Sequence, residues 1–176
     1  MAQEKVPMQN CDAILTKEPT SGEIGRLIRK LLKSMTSPEE EALLFAADRC
    51  EHVKNLIEPA INDGKIVVTD RYVYSSYAYQ SARGLSLNWI KEINKFAPKP
   101  DIAILIDIPA EIAFKRIEKK PDDRFKTLEF QNKVRNIYLQ LAKTEGMEIV
   151  DGSQSIERVQ NQIREIVSKY VTSPRS

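Results

Sequence analysis

Four short runs rich in β-branched residues alternate with stretches of helical spacing, and this alternation constrains the fold more than any other feature of the chain. The runs are Ala13-Ile14-Leu15-Thr16, Ile66-Val67-Val68-Thr69, Ile102 to Ile108 and Glu148-Ile149-Val150. Between the first two, Ile24, Leu27, Ile28, Leu31 and Leu32 keep the period of one helical face. A second helix starts at Ser37 as cap and Pro38 at the first helical position, with Glu39, Glu40 and Glu41 at the positive end of its dipole. Its apolar face is predicted through Leu43, Ala47, Cys50, Val53 and Ile57, with Pro59 kinking or ending it. Further helices are expected from Ser86 to the Pro98/Pro100 pair, from Pro109, around Leu128 to Gly146, and from Ile156 to Tyr170. The pattern predicts an α/β fold: a mainly parallel sheet with helices on both faces. We read residues 1–176 as a single domain, frayed over roughly its first ten residues and from Thr172 to Ser176.

Composition narrows the function classes. At 41% hydrophobic the chain can bury a core, and 27 basic against 25 acidic residues leave a net charge of +2. So even a balance argues against a general nucleic-acid or membrane-surface binder. No apolar run approaches the roughly 18 residues of a membrane span, and the N-terminus has no apolar signal core. Cys11 and Cys50 lack a metal-type or redox-type spacing, which fits a reduced, cytoplasmic protein. His52, the single histidine, has no partnered nucleophile motif and reads as a surface or helix-face residue.

Several clusters can carry chemistry. Thr69-Asp70-Arg71-Tyr72 closes a strand, where ligands of open parallel sheets bind. There an acid can hold magnesium directly or through water, and an arginine offers a fork to phosphate. An Asp that merely caps the next helix explains the dipeptide equally well. Phe45 and Arg49, four apart, share a helical face and suit a planar base, the ring stacking and the guanidinium reading the edge. Taken alone, such a pair is more often a core Phe beside a solvated Arg. Tyr74 to Gln80 is richer in Tyr and Ser than a packing helix needs, and serves either a ligand or a tyrosine-rich surface. Lys115 to Arg124 is dense in charge and reads as a lid over phosphates or as a solvated loop.

Jointly, and in order, these segments resemble the thymidylate kinase family over nearly the whole chain. The matching pieces are Thr16-Lys17-Glu18-Pro19, Ile24 to Arg29, Leu44-Phe45-Ala46-Ala47-Asp48-Arg49, Asp70-Arg71-Tyr72 with Ser75-Ser76 and Tyr79-Gln80, Pro98-Lys99-Pro100-Asp101, and Asp123-Arg124-Phe125. The resemblance implies a P-loop nucleoside monophosphate kinase-like fold and transfer of the γ-phosphate of MgATP to dTMP, giving dTDP for dTTP synthesis. It implies that Phe45 stacks on thymine, that Arg49 and Gln80 bond its edge, and that Ser76 lies near the base. Tyr79 packs against the deoxyribose, and Arg29 and Arg71 hold the acceptor phosphate. By the same resemblance Asp70, with Glu18 nearby, would support Mg²⁺ through water, and Asp70, Arg71 and Arg124 would act at the reacting phosphates. Arg124 and Arg116 belong to a lid of about 115–126. A homodimer through the 38–58 region is also implied. Lys17 stands where the family usually has arginine, keeping charge but losing the fork.

One departure is larger. The family opens with a strand, a G-x-x-x-x-G-K-[ST] loop that cradles ATP phosphates, and a helix. Gly22, Gly25, Gly64, Gly84, Gly146 and Gly152 form no such pattern, and Gly64-Lys65 leads into a strand. In the family sheet order 2-3-1-4-5 that strand is central, and its loss orphans backbone groups at about 1–3 kcal/mol each if buried. The expectation is therefore a thymidylate kinase-like chain without its first strand and P-loop, from an upstream-truncated reading frame, with little or no kinase activity in this form. The alternatives are a non-catalytic dTMP-binding or dimerising relative that has lost ATP binding, and another nucleotide kinase sharing the Asp-Arg strand end.

Overall fold

In the computed structural model the described residues are 12–32, Ser34, 37–116 and 127–171. They fall into two compact units. One holds the described residues up to Val73 together with Glu92–Ala97; the other holds Tyr74–Lys91 and the described residues from Pro98 onward.

In the first unit the two β-branched runs become β1 (Ala13–Lys17) and β2 (Ile66–Asp70), paired in parallel from Ala13 opposite Ile66 to Lys17 opposite Asp70. The crossover is helical, as a parallel pair requires. It contains α1 (Glu23–Leu31), α2 (Pro38–His52) and α3 (Glu58–Asn62). Ser37 caps α2 as expected, its side chain accepting from the Glu40 N–H at 3.3 Å. Pro59 neither ends nor sharply breaks the run. Having no N–H, it cannot bond the carbonyl four residues back. The preceding turn, Val53–Ile57, widens to π geometry and the Glu58 N–H reaches Val53 O. On the β1–β2 pair, Leu15 and Val68 sit opposite each other and are 80% and 49% exposed, while Ile14, Thr16, Val67 and Thr69 on the other face are half-buried.

The helical face of α2 differs from the apolar stripe read in the sequence. Leu43 and Cys50 are exposed, and the inward face instead carries Glu41, Ala42, Ala46, Asp48, Arg49 and His52. Hydrophobic periodicity fails here because this helix buries charge, which is tolerated only when each charge finds a partner.

The second unit pairs β3 (Ile104–Asp107) with β4 (Glu148–Asp151), again in parallel. The unit also holds α6 (Ala110–Arg116), α7 (Leu128–Glu145) and α8 (Ile156–Val171). Helices α4 (Val73–Ala82) and α5 (Leu87–Ile93) contribute most of their length to it. Ala78 and Ala82 of α4 pack with Val134 and Leu141 of α7, bordered by Tyr77, Tyr79, Phe130, Ile137 and Tyr138. Arg135 clasps Asp107 with two bonds of 2.7 and 2.8 Å, fixing α7 to the end of β3. After β4, Asp151 accepts from the Ser153 N–H, the Ser153 hydroxyl and the Gln154 amide, and these bonds lower its carboxyl to about 2.

Candidate functional site

The carboxyl ends of β1 and β2 are joined just beyond the ladder, where the Glu18 N–H donates to Asp70 O at 3.1 Å. The chain then turns at Arg71, a non-glycine residue with φ 67°. That left-handed conformation costs about 1–2 kcal/mol for an L-residue and persists where the surroundings impose it. Thr69 contributes by donating its hydroxyl to Arg71 O at 2.8 Å. Asp70 and Arg71 are therefore presented to solvent at the rim that parallel sheets use for ligands.

Arg29 lies beside the same rim. Its guanidinium donates to Pro19 O at 2.9 Å and Thr20 O at 2.6 Å. Gly25 lets α1 come this close: a Cβ there would lie 2.0 Å from Thr20 O. Any side chain at this position would push α1, and Arg29 with it, off the 18–20 loop. Asp48 secures the loop from the other direction, accepting from the Thr20 N–H at 2.8 Å and the Thr20 hydroxyl at 2.6 Å.

Behind the rim stands a buried charged network. Arg49 is 1% exposed and donates Nε and Nη2 to one oxygen of Glu18, Oε2, at 2.9 and 2.6 Å. Its Nη1 donates to Asn94 Oδ1, and its guanidinium lies 5.5 Å from the centre of the Tyr72 ring. The other Glu18 oxygen, Oε1, is 3.1 Å from His52 Nδ1, while His52 Nε2 is 2.9 Å from the Thr16 hydroxyl. Phe45, one helical turn before Arg49 on α2, is half-buried. The structure thus groups Glu18, Arg29, Arg49, Asp70 and Arg71 at one end of the β1–β2 pair, with Phe45 on the helix that carries Arg49.

The remaining candidates belong to the second unit. Ser76 and Gln80 are buried on α4, four residues apart on one face. Tyr79 is set by its ring neighbours, 6.2 Å from Phe130 and 6.5 Å from Tyr138. Arg116 ends α6 and donates to Gly152 O and Ser153 O, both at 2.8 Å, which ties it to the turn after β4. Arg124 and the segment 117–126 expected as a lid lie outside the described residues.

His52, expected at the surface or on a helix face, does lie on α2 but is buried to 5% exposure, with both ring nitrogens in contact. Asn94 is a further member of this network that no motif in the sequence marks. His52 had a usable signal, lying three residues after Arg49 and so on the same face. Asn94 had none, since its partner is 45 residues away in sequence. As for metal, among the described residues no three His, Cys, Asp or Glu side chains are placed to hold an ion. Both Glu18 oxygens are committed to Arg49 and His52, leaving exposed Asp70 as the carboxylate here that fits a water-mediated magnesium contact. Mg²⁺ is commonly bound through one or two carboxylates and substrate phosphates.

Known proteins resemble this chain along most of its length. The sequence pattern of the thymidylate kinase family matches residues 2–163. A probable thymidylate kinase of Pyrococcus abyssi is 50% identical over 169 residues, covering 90% of this chain and 82% of the relative. One from Pyrococcus horikoshii is 48% identical, covering 89% and 81%, and one from Methanocaldococcus jannaschii is 42% identical, covering 92% and 85%. Among the described residues no helix is long and apolar enough to cross a membrane. With matching sequence along almost its full length and the parallel strand pairs and strand-end arginines in place, the chain belongs to the thymidylate kinase family.

Proposed function

We propose that this chain binds dTMP at the carboxyl ends of β1 and β2, as the acceptor half of a phosphotransferase that moves the γ-phosphate of MgATP to dTMP. The observation that carries this reading is that Arg71 follows the end of β2 while Arg29 and Arg49 are bonded to the 18–20 loop that follows β1. Arginine forks in a partly enclosed place suit a phosphate and a base edge better than lysines do. Phe45 stacks on thymine and Arg49 bonds its edge. Because Arg49 is covered in the chain alone, contact with the base comes with a shift of the side chains around it. Arg29 and Arg71 hold the acceptor phosphate. For Ser76, Gln80 and Tyr79 of α4 the reading rests on the family resemblance alone, which gives the first two roles near the base and Tyr79 one at the deoxyribose.

Asp70 would hold Mg²⁺ through water, and the ion, when bound, neutralises charge on the phosphates. The protein's own part is positioning: fixing the acceptor phosphate in line and surrounding it with positive charge. Arg116 and Arg124 are assigned to the lid on the ATP side, and a homodimer is assigned to the 38–58 region by the family resemblance. Cytoplasmic location follows from the same reading. A second reading is a dTMP-binding relative that transfers no phosphate.

Thermal unfolding with each nucleotide tests the proposal. At about 100 times its dissociation constant, dTMP should stabilise the chain by roughly 2.7 kcal/mol, and MgATP alone should not. No shift with dTMP would overturn the acceptor site. A dTMP shift accompanied by ADP release from MgATP supports the kinase, and a dTMP shift without it supports the second reading.

A further inference from the structure

We propose that His52 is a positioning residue that sets the orientation of the Arg49 guanidinium by holding the opposite oxygen of Glu18. The proposal rests on the reading of Arg49 as the base-edge donor. An ionised carboxylate only accepts hydrogen bonds, so His52 Nδ1 carries the proton in its 3.1 Å contact with Glu18 Oε1. The ring is itself fixed at its far side by the Thr16 hydroxyl, 2.9 Å from Nε2. With Oε1 occupied, Oε2 alone serves Arg49, receiving Nε and Nη2. That leaves Nη1 directed to Asn94 Oδ1.

This is not the arrangement an arginine and a carboxylate adopt by themselves. Their preferred contact is two parallel bonds, one to each oxygen. Without the His52 proton, Glu18 Oε1 would be buried and unsatisfied, and rotation of the carboxylate would offer both oxygens to the fork. The guanidinium would follow and leave Asn94. His52 therefore acts on the base through two bonds in series without touching it. Four side chains from three stretches of sequence (Thr16 and Glu18, Arg49, and Asn94) are held in register by one imidazole.

Two near-isosteric variants separate this role from plain packing. Asn reproduces the Nδ1 position and keeps a donor toward Glu18, whereas Gln reproduces Nε2, reaches Thr16 and loses Glu18. The chain is examined by ¹H–¹⁵N spectra of the Arg49 Nε–H and by calorimetric titration with dTMP. His52→Asn should leave the Arg49 Nε–H resonance in place and dTMP affinity within about threefold. His52→Gln should move that resonance and weaken dTMP by about tenfold or more, the scale of a hydrogen bond to a charged group. Equal effects of the two variants on the resonance, or none, would overturn the proposal whether or not dTMP binds. Arg49→Lys distinguishes the underlying reading: if dTMP affinity is unchanged by it, Arg49 is not the base-edge donor and the role of His52 toward the base falls with it. If Arg49→Lys weakens dTMP while Asn and Gln at position 52 behave alike, the His52 role alone is wrong.

Discussion

The end of the β1–β2 pair and the core between α4 and α7 hold their side chains by different physics. At the strand end, charged and polar groups (Glu18, Asp48, Arg49, His52 and Asn94) are buried and fixed by directed hydrogen bonds. Between α4 and α7, Ala78, Ala82, Val134 and Leu141 are fixed by close packing, with tyrosine and phenylalanine rings around them. Directed bonds hold a group at one orientation and fail abruptly when a partner is lost. Packing tolerates small changes and loses stability in proportion to the volume removed. The burial of these directed bonds is why one helix, α2, departs from hydrophobic periodicity.

Removing one partner from each region should expose that difference. Glu18→Ala leaves the Arg49 guanidinium buried without its carboxylate and should cost about 3–5 kcal/mol in urea denaturation. Leu141→Ala should cost about 3 kcal/mol by the same measurement, through a cavity at a side chain 3% exposed. The contrast sharpens when Leu is replaced by Met: Leu141→Met should cost less than about 1.5 kcal/mol, because volume is kept. Equal costs for Glu18→Ala and Glu18→Gln would show that charge and direction matter less at the strand end than proposed.

Which parts were legible from sequence follows the same division. The four strands and the helices between them other than α4 came from β-branched runs and helical spacing, and the cap at Ser37 and the stop at Gly146 from local chemistry that the structure repeats. The inward face of α2 did not, because apolar periodicity cannot register a helix that buries Asp48, Arg49 and His52. The strand-end candidates Glu18, Arg29, Arg49, Asp70 and Arg71 were legible only through their joint order along the chain. Taken singly, each also suited a solvated or capping role. The partners that orient them are contacts distant in sequence, such as Thr16 with His52 and Arg49 with Asn94, and no local pattern encodes those. The π turn before Pro59 was hidden too, since a missing N–H can be absorbed by a kink, an end or a wider turn.

Smaller effects refine the comparison. Asp107→Asn removes the charge that Arg135 clasps at a partly exposed place and should cost about 1 kcal/mol, less in high salt. Arg71→Gly separates binding from folding. Relief of the left-handed strain offsets the greater chain entropy of glycine, so stability should stay within about 1 kcal/mol while dTMP affinity falls. A parallel loss of both would mean that Arg71 serves the fold. The smallest effect concerns Asp151, whose folded carboxyl is depressed to about 2. Its contribution is present above the unfolded value near pH ~4 and is lost as pH falls toward ~2. The stability gap between the protein and Asp151→Ala should be flat from about pH 5 to 7 and close in that acidic window. A gap unchanged down to pH ~2 would remove the carboxylate from that turn's stability.

The central claim is that a pyrimidine monophosphate is gripped at the carboxyl ends of β1 and β2 by Phe45 and the surrounding arginines. Calorimetric titration of dTMP into the chain and into Arg49→Ala tests it most directly. The account predicts saturable binding of one dTMP per chain, little or no binding of AMP, and a loss of about 1–3 kcal/mol in Arg49→Ala. Binding of AMP as tight as that of dTMP, or a dTMP affinity untouched by the loss of Arg49, would contradict it.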